Sequence, residues 1–177
     1  MPKFRDIQQI SLAGYECDIS WSYLEDWLAG HGDMDINLDP DYQRGHVWYL
    51  PQQIAYIEHI LRGGTGGKDI YWNCPGWRKD WKGPLELVDG KQRITAVLKF
   101  LHNKIPAFRH YYEEYEDSLH LLTARFRFYI NDLTKRKDIL QWYLDLNSGV
   151  AHTSEELDRV RKILQKEEME YYLFSRD

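Results

Sequence analysis

The sequence predicts a single α+β domain, and three observations carry that prediction. Leu85-Glu86-Leu87-Val88 is a short apolar strand that passes through Asp89-Gly90 straight into a stretch with Ile94, Val97, Leu98 and Leu101 at helical spacing. Residues 125–130 read Arg-Phe-Arg-Phe-Tyr-Ile, the two-residue alternation of a half-buried strand. A chain of 177 residues, 43% hydrophobic and 29% charged, is long enough to bury one ordinary core and too short for two.

The remaining elements follow in order. Tyr15–Ile19 is short and β-prone, and Ser20 is an N-cap for a helix with Trp21, Leu24, Trp27 and Leu28 on one face, closed by Gly30. Residues 36–40 are briefly extended, and residues 41–48 follow neither a helical nor a strand period. Pro51 suits the first turn of a helix that aligns Ile54, Ile57, Ile60 and Leu61 and stops at the glycines 63, 64, 66 and 67. Asp69 to Asn73 reads as a strand, and Trp77 to Pro84 as a turn-rich connection with exposed aromatics. Lys135 to Leu144 reads as a helix with Asn147-Ser148-Gly149 as its exit loop. Thr153 with Glu156 forms a capping box for a last helix with Leu157, Val160 and Leu164 on one face. The core is expected over residues 15–152, with 153–177 a C-terminal helix and tail that the fold can best do without.

Composition excludes several classes. No apolar run approaches the ~20 residues of a membrane span, and Pro2, Lys3 and Arg5 lead into no secretory core, so a cytoplasmic protein without membrane contact is expected, in the host cytoplasm if phage-encoded. Cys17 and Cys74 form no C-x-x-C pair and read as reduced, partly buried thiols. The net charge of −5 removes the broad basic footprint of a general nucleic-acid binder, so any polyanion site must come from a few converging cations.

Three clusters offer such a site. In Val88-Asp89-Gly90-Lys91-Gln92-Arg93 a glycine stands where strand becomes helix, leaving uncapped N–H groups beside Lys91 and Arg93, an arrangement suited to an anion. The alternative is a structural turn in which Asp89 caps the helix and Arg93 pairs with a surface carboxylate. Pro40-Asp41-Tyr42-Gln43-Arg44 gathers an aromatic, an amide and a guanidinium, or else is a solvated loop whose Tyr42 covers the core. Asn147-Ser148-Gly149 either directs an amide inward or closes a helix.

Together, Pro40-x-Tyr42-Gln43-Arg44…Trp48, Val88-Asp89-Gly90-x-Gln92-Arg93-x-Thr95-Ala96 and Leu146-Asn147-Ser148-Gly149 with Thr153-x-x-Glu156-Leu157 resemble the N-terminal domain of the GmrSD-type modification-dependent restriction systems, over roughly residues 15–165. The resemblance implies a ParB/sulfiredoxin-like fold, a small mixed sheet packed with several helices, whose loops converge on a pocket for a nucleoside triphosphate or a nucleic-acid phosphate. Carried over to this chain, that pocket takes Tyr42, Gln43 and Arg44, then Asp89, Gly90, Gln92 and Arg93, then Asn147. Lys91 stands where the family usually has glutamine, adding a charge that either strengthens phosphate binding or changes its use. The HNH nuclease domain of the full restriction enzymes is not expected, and the sulfiredoxin reaction is disfavoured because its turn cysteine is replaced by Lys91-Gln92-Arg93. In the implied chemistry Arg44 and Arg93 neutralise phosphoryl oxygens, Asp89 holds Mg²⁺ or another divalent cation or orients a water, and Gln43, Gln92 and Asn147 fix the nucleotide or the water.

Other patterns carry less. Gly63-Gly64-Thr65-Gly66-Gly67-Lys68-Asp69 lacks the first glycine and the final Ser/Thr of a phosphate-binding P-loop and reads as a flexible loop, with a lid over the pocket as its functional alternative. The seven histidines show no metal-binding spacing; His46, close after Arg44, is a candidate general base. Tyr71, Trp72, Trp77 and Trp81, interspersed with Arg78, Lys79 and Lys82, either stack nucleic-acid bases or leave Trp72 packed in the core with Trp77 and Trp81 covering a loop. The resulting expectation is a nucleotide-binding, NTP-hydrolysing domain in phage or bacterial DNA transactions, with metal-dependent DNA cleavage as a further activity. The rival is a catalytically silent domain that binds a nucleotide, DNA or a protein partner.

Overall fold

The computed structural model describes residue 3 and residues 14–29, 35–43, 48–79, 83–119, 123–147 and 154–174. Five strands form one sheet: β1 (Tyr15–Ser20), β2 (Ile36–Asn37), β3 (Asp69–Asn73), β4 (Leu85–Asp89) and β5 (Arg125–Asn131), in the order β1-β5-β3-β4-β2. The sheet is mixed. β1 runs antiparallel to β5 and β3 antiparallel to β4, while β3 with β5 and β2 with β4 are parallel. The helices are α1 (Leu24–Ala29), α2 (Leu50–Leu61), α3 (Lys91–Leu101), α4 (Arg136–Asn147) and α5 (Ser154–Phe174).

Strand alternation divides the interior in two. Phe126, Phe128 and Ile130 of β5, Ile70 and Trp72 of β3 and Leu85 and Leu87 of β4 all join one large cluster, which Leu24 and Trp27 of α1, Ile57 and Ile60 of α2 and Ile94, Val97 and Phe100 of α3 complete. Aromatic contacts dominate it: Trp27 meets Phe128 edge-on at 4.6 Å between ring centres and lies 5.3 Å from Trp72. The intervening residues serve the other face. There Val88 packs with Tyr42, with Ile139, Leu140, Trp142 and Tyr143 of α4 and with Val160 of α5, and Tyr71 lies against this second cluster.

Several local expectations are adjusted. After Ser20 the chain first makes a 3-10 turn, Trp21–Tyr23, with the Ser20 hydroxyl accepting from the Ser22 N–H at 3.3 Å, and only then enters α1. α4 runs on through Asn147, so that residue belongs to the helix rather than to an exit loop. α5 packs onto the fold through Val160, which is 1% exposed in the second cluster, and through Arg159 Nη2, which donates to the Asp41 carbonyl at 2.9 Å. Trp77 is a core residue, 8% exposed and 5.5 Å from the Tyr15 ring, where an exposed turn aromatic was expected. The capping-box residue Thr153 lies outside the described residues. Among the described residues no helix is long and apolar enough to cross a membrane.

Candidate functional site

A cavity of about 380 Å³ opens at the end of β4, where α2, α3 and α4 meet. Its construction starts with a pairing irregularity. Trp72 stands opposite Leu87 but Tyr71 stands opposite Asp89, so β4 carries Val88 as an extra residue, a β-bulge. Val88 and Asp89 therefore both face Tyr71. Without the bulge Asp89 would fall opposite Ile70, over the large apolar cluster.

Gly90 follows with φ +113°, the N-cap of α3 with no side chain capping the helix. A Cβ there would lie 2.5 Å from Cδ1 and 3.1 Å from Cγ2 of Ile70. The glycine is required twice, by its positive φ and by the close approach of its backbone to β3. Gly90, Lys91, Gln92 and Arg93 line the cavity, so the positive end of the helix opens into it.

Each polar side chain of this junction has a protein partner. Arg93 forms an ion pair with Asp89 one turn earlier, both partly buried, and Lys91 pairs with Asp39. Gln92 Oε1 accepts from the Trp48 N–H at 3.1 Å, and Gln53 Nε2 donates to the Trp48 carbonyl at 2.7 Å, so two amides pin Trp48 between α3 and α2. Gln43 Nε2 donates to the carbonyls of Leu87 and, at 2.9 Å, Val88. Because β2 pairs only with Leu85 and Glu86, Gln43 supplies donors to the stretch of β4 beyond it. Asn147, 2% exposed, donates Nδ2 to the Tyr143 carbonyl at 2.7 Å and lines the cavity from α4.

Aromatic rings make the remaining walls. Trp48 and Tyr56 pack together at 5.3 Å between centres on one side, and Tyr143 stands on another. The Tyr56 hydroxyl donates to the Gly67 carbonyl at 2.8 Å, which fastens the glycine loop after α2 to the rim, and burial pushes the Tyr56 phenol up. Burial likewise pushes the Tyr71 phenol up, with Asp69 adding to the shift.

Of the residues singled out from sequence, Gln43, Asp89, Gly90, Lys91, Gln92, Arg93 and Asn147 stand together on this cavity. Tyr42 does not line it. Its ring is 2% exposed and meets Tyr143 edge-on at 5.3 Å, and its hydroxyl has no partner among the described residues, with burial first and Glu86 second raising its pKa. Asp89 does not cap α3, and the carboxylate that pairs with Arg93 is Asp89 itself. Arg44 and His46 lie outside the described residues; Gln43 and Trp48, which flank that segment, both line the cavity. Trp81 and Lys82 are also outside them, Arg78 pairs with Asp132 at 3.4 Å, and Lys79 is exposed. Trp48, Tyr56, Gly67 and Tyr143 were not named as site residues. Tyr143 was findable, since it precedes Asn147 by one turn on the same helix face. Among the described residues no three His, Cys, Asp or Glu are grouped to hold a metal ion.

Residues 24–175 match the family model described as the N-terminal domain of the GmrSD restriction endonuclease. The chain belongs to this family. The match takes in every cavity-lining residue among those described and begins after β1. No curated protein and no solved structure gives a significant match. The family ties the chain to restriction systems acting on DNA.

Proposed function

We propose that the chain is a nucleotide-binding domain of a restriction-type DNA transaction, that it hydrolyses a nucleoside triphosphate, and that its fold is of the ParB/sulfiredoxin-like kind. The observation that carries the reading is the uncapped N-terminus of α3, which opens with Gly90, Lys91 and Arg93 into a cavity walled by Trp48, Tyr56 and Tyr143. Helix amides and two cations suit phosphoryl oxygens; aromatic walls suit a nucleobase. The cavity volume lies in the range of small-ligand sites, roughly 300–1,000 Å³.

The ion pairs define how such a ligand enters. A phosphate drawing Arg93 into a forked contact takes it from Asp89, and the released carboxylate becomes available to orient a water. Lys91 makes the corresponding exchange with Asp39. The cavity's carboxylate is Asp89, which fits a Mg²⁺ that keeps most of its ligands as phosphate oxygens and water. Such an ion would screen charge on the phosphoryl group. Asp89 would hold it, and the same set would serve phosphodiester cleavage in DNA. Gln43 and Asn147 fix the walls; Arg44 as second guanidinium and His46 as general base complete the proposed catalytic set.

A silent interaction domain, binding a nucleotide, DNA or a protein without turnover, is favoured by one observation: among the described residues, both cations that line the cavity, Lys91 and Arg93, already have carboxylate partners. Phosphate release from each of the four triphosphates, with Mg²⁺ and with or without DNA, separates the readings. We expect release that Arg93→Ala and Asp89→Ala abolish while circular dichroism stays unchanged. Tight binding without release establishes the silent domain, and no binding of any triphosphate removes the proposal.

A further inference from the structure

We propose that Arg136 is a positioning residue for the cavity, holding the loop of residues 40–43 against α5 so that this helix sets the place of one cavity wall. The inference rests on the nucleotide reading only for its binding arm.

Arg136 opens α4 and meets three parts of the chain. Its Nη2 pairs with Asp41, its Nε lies 3.4 Å from Glu167 Oε1 on α5, and its guanidinium carbon sits 5.9 Å from the centre of the Tyr42 ring. Arg159 of α5 holds the Asp41 carbonyl. Asp41 is thus gripped at its side chain from α4 and at its backbone from α5. The next two residues carry the consequence inward, Tyr42 against the Tyr143 ring and Gln43 onto the carbonyls of β4. The loop itself has little to fix it locally beyond the turn bond from the Gln43 N–H to the Pro40 carbonyl at 2.9 Å.

Exposure decides what kind of effect this is. The side chain of Asp41 is 66% exposed, and those of Arg136 and Glu167 are each 36% exposed. Ion pairs of that kind add little to global stability. A planar fork that satisfies two carboxylates and lies over a ring nevertheless fixes geometry in a way an ammonium does not. The network therefore governs where the loop sits rather than whether the chain folds.

Backbone hydrogen exchange of the full chain tests this, read at Gln43 and at the α3 amides, together with the affinity for a fluorescent triphosphate. In Arg136→Ala we expect Gln43 exchange to rise about tenfold, α3 protection to hold and the melting temperature to move little. Arg136→Lys should recover only part of the protection, and Glu167→Gln should show the same pattern more weakly. Triphosphate affinity should fall about tenfold in Arg136→Ala. Unchanged Gln43 exchange in both Arg136→Ala and Glu167→Gln overturns the inference, as does full rescue by lysine. If the parent binds no triphosphate, the nucleotide reading falls while the exchange arm still decides the role of Arg136.

Discussion

Under α1, α2 and α3 the sheet buries Trp72, Phe126 and Phe128 among more than a dozen other apolar side chains; under α4 and α5 it buries a far smaller set around Tyr42 and Val88. The polar content differs as sharply. Gln43, Asn147 and the half-buried Glu86 all stand on or beside the second side, and Arg136 acts on the Glu86 carboxyl. One side of the sheet holds the chain together, and the other holds a loop and two cavity walls in place. A cavity at the boundary of the two takes its rigid floor, Gly90 on Ile70, from the first and its adjustable wall, Gln43 and Asn147, from the second.

The comparison is broken or sharpened by substitution. Trp72→Ala should cost about 3–5 kcal/mol in urea unfolding, whereas Val160→Ala should cost about 1–2 kcal/mol. Equal costs would mean that the two clusters are one energetic unit. Gly90→Ala should lose about 1–3 kcal/mol from its positive φ alone, with the approach to Ile70 adding to it. A thermal melt that does not move would show that the floor is not rigid.

The smallest effect concerns Glu86, whose carboxyl pKa is raised by burial in spite of Arg136 nearby. A raised carboxyl binds its proton more tightly in the folded than in the unfolded chain. Its contribution is therefore present below the unfolded pKa and lost as pH rises through the folded one. Glu86→Gln should gain on the parent between pH 4 and pH 7, read as the difference of two urea series. A gain that shrinks over that interval would place Arg136, not burial, in control of the carboxyl.

What was legible in the sequence was local. β3 occupies Asp69–Asn73 as its composition indicates, and the Leu85–Gly90–Lys91 handover is a strand, a left-handed glycine and a helix. The alternation at residues 125–130 is a strand whose phenylalanines all face the core. Convergence of Gln43, Gly90 and Asn147 on one place was approached through the family resemblance, because no period links residues so far apart. Sheet order and the parallel pairing of β3 with β5 are long-range facts without a local signature. The pair Lys91–Asp39 was illegible for another reason, since sequence shows which charges exist while the choice of a distant partner depends on turns it does not display; Arg93–Asp89, four positions apart, was within its reach. Trp77 was misjudged because charged neighbours resembled a surface segment, yet Tyr15 on the edge strand covers its ring.

The extra residue at Val88 lets one rung of the ladder carry two side chains on the same face. Removing one residue from β4 would let the ladder run regularly to its end and keep an aspartate opposite Tyr71, but Val88 and that carboxylate could no longer share one face. The bulge thus lets an apolar residue of the second cluster and the counter-charge of Arg93 stand side by side.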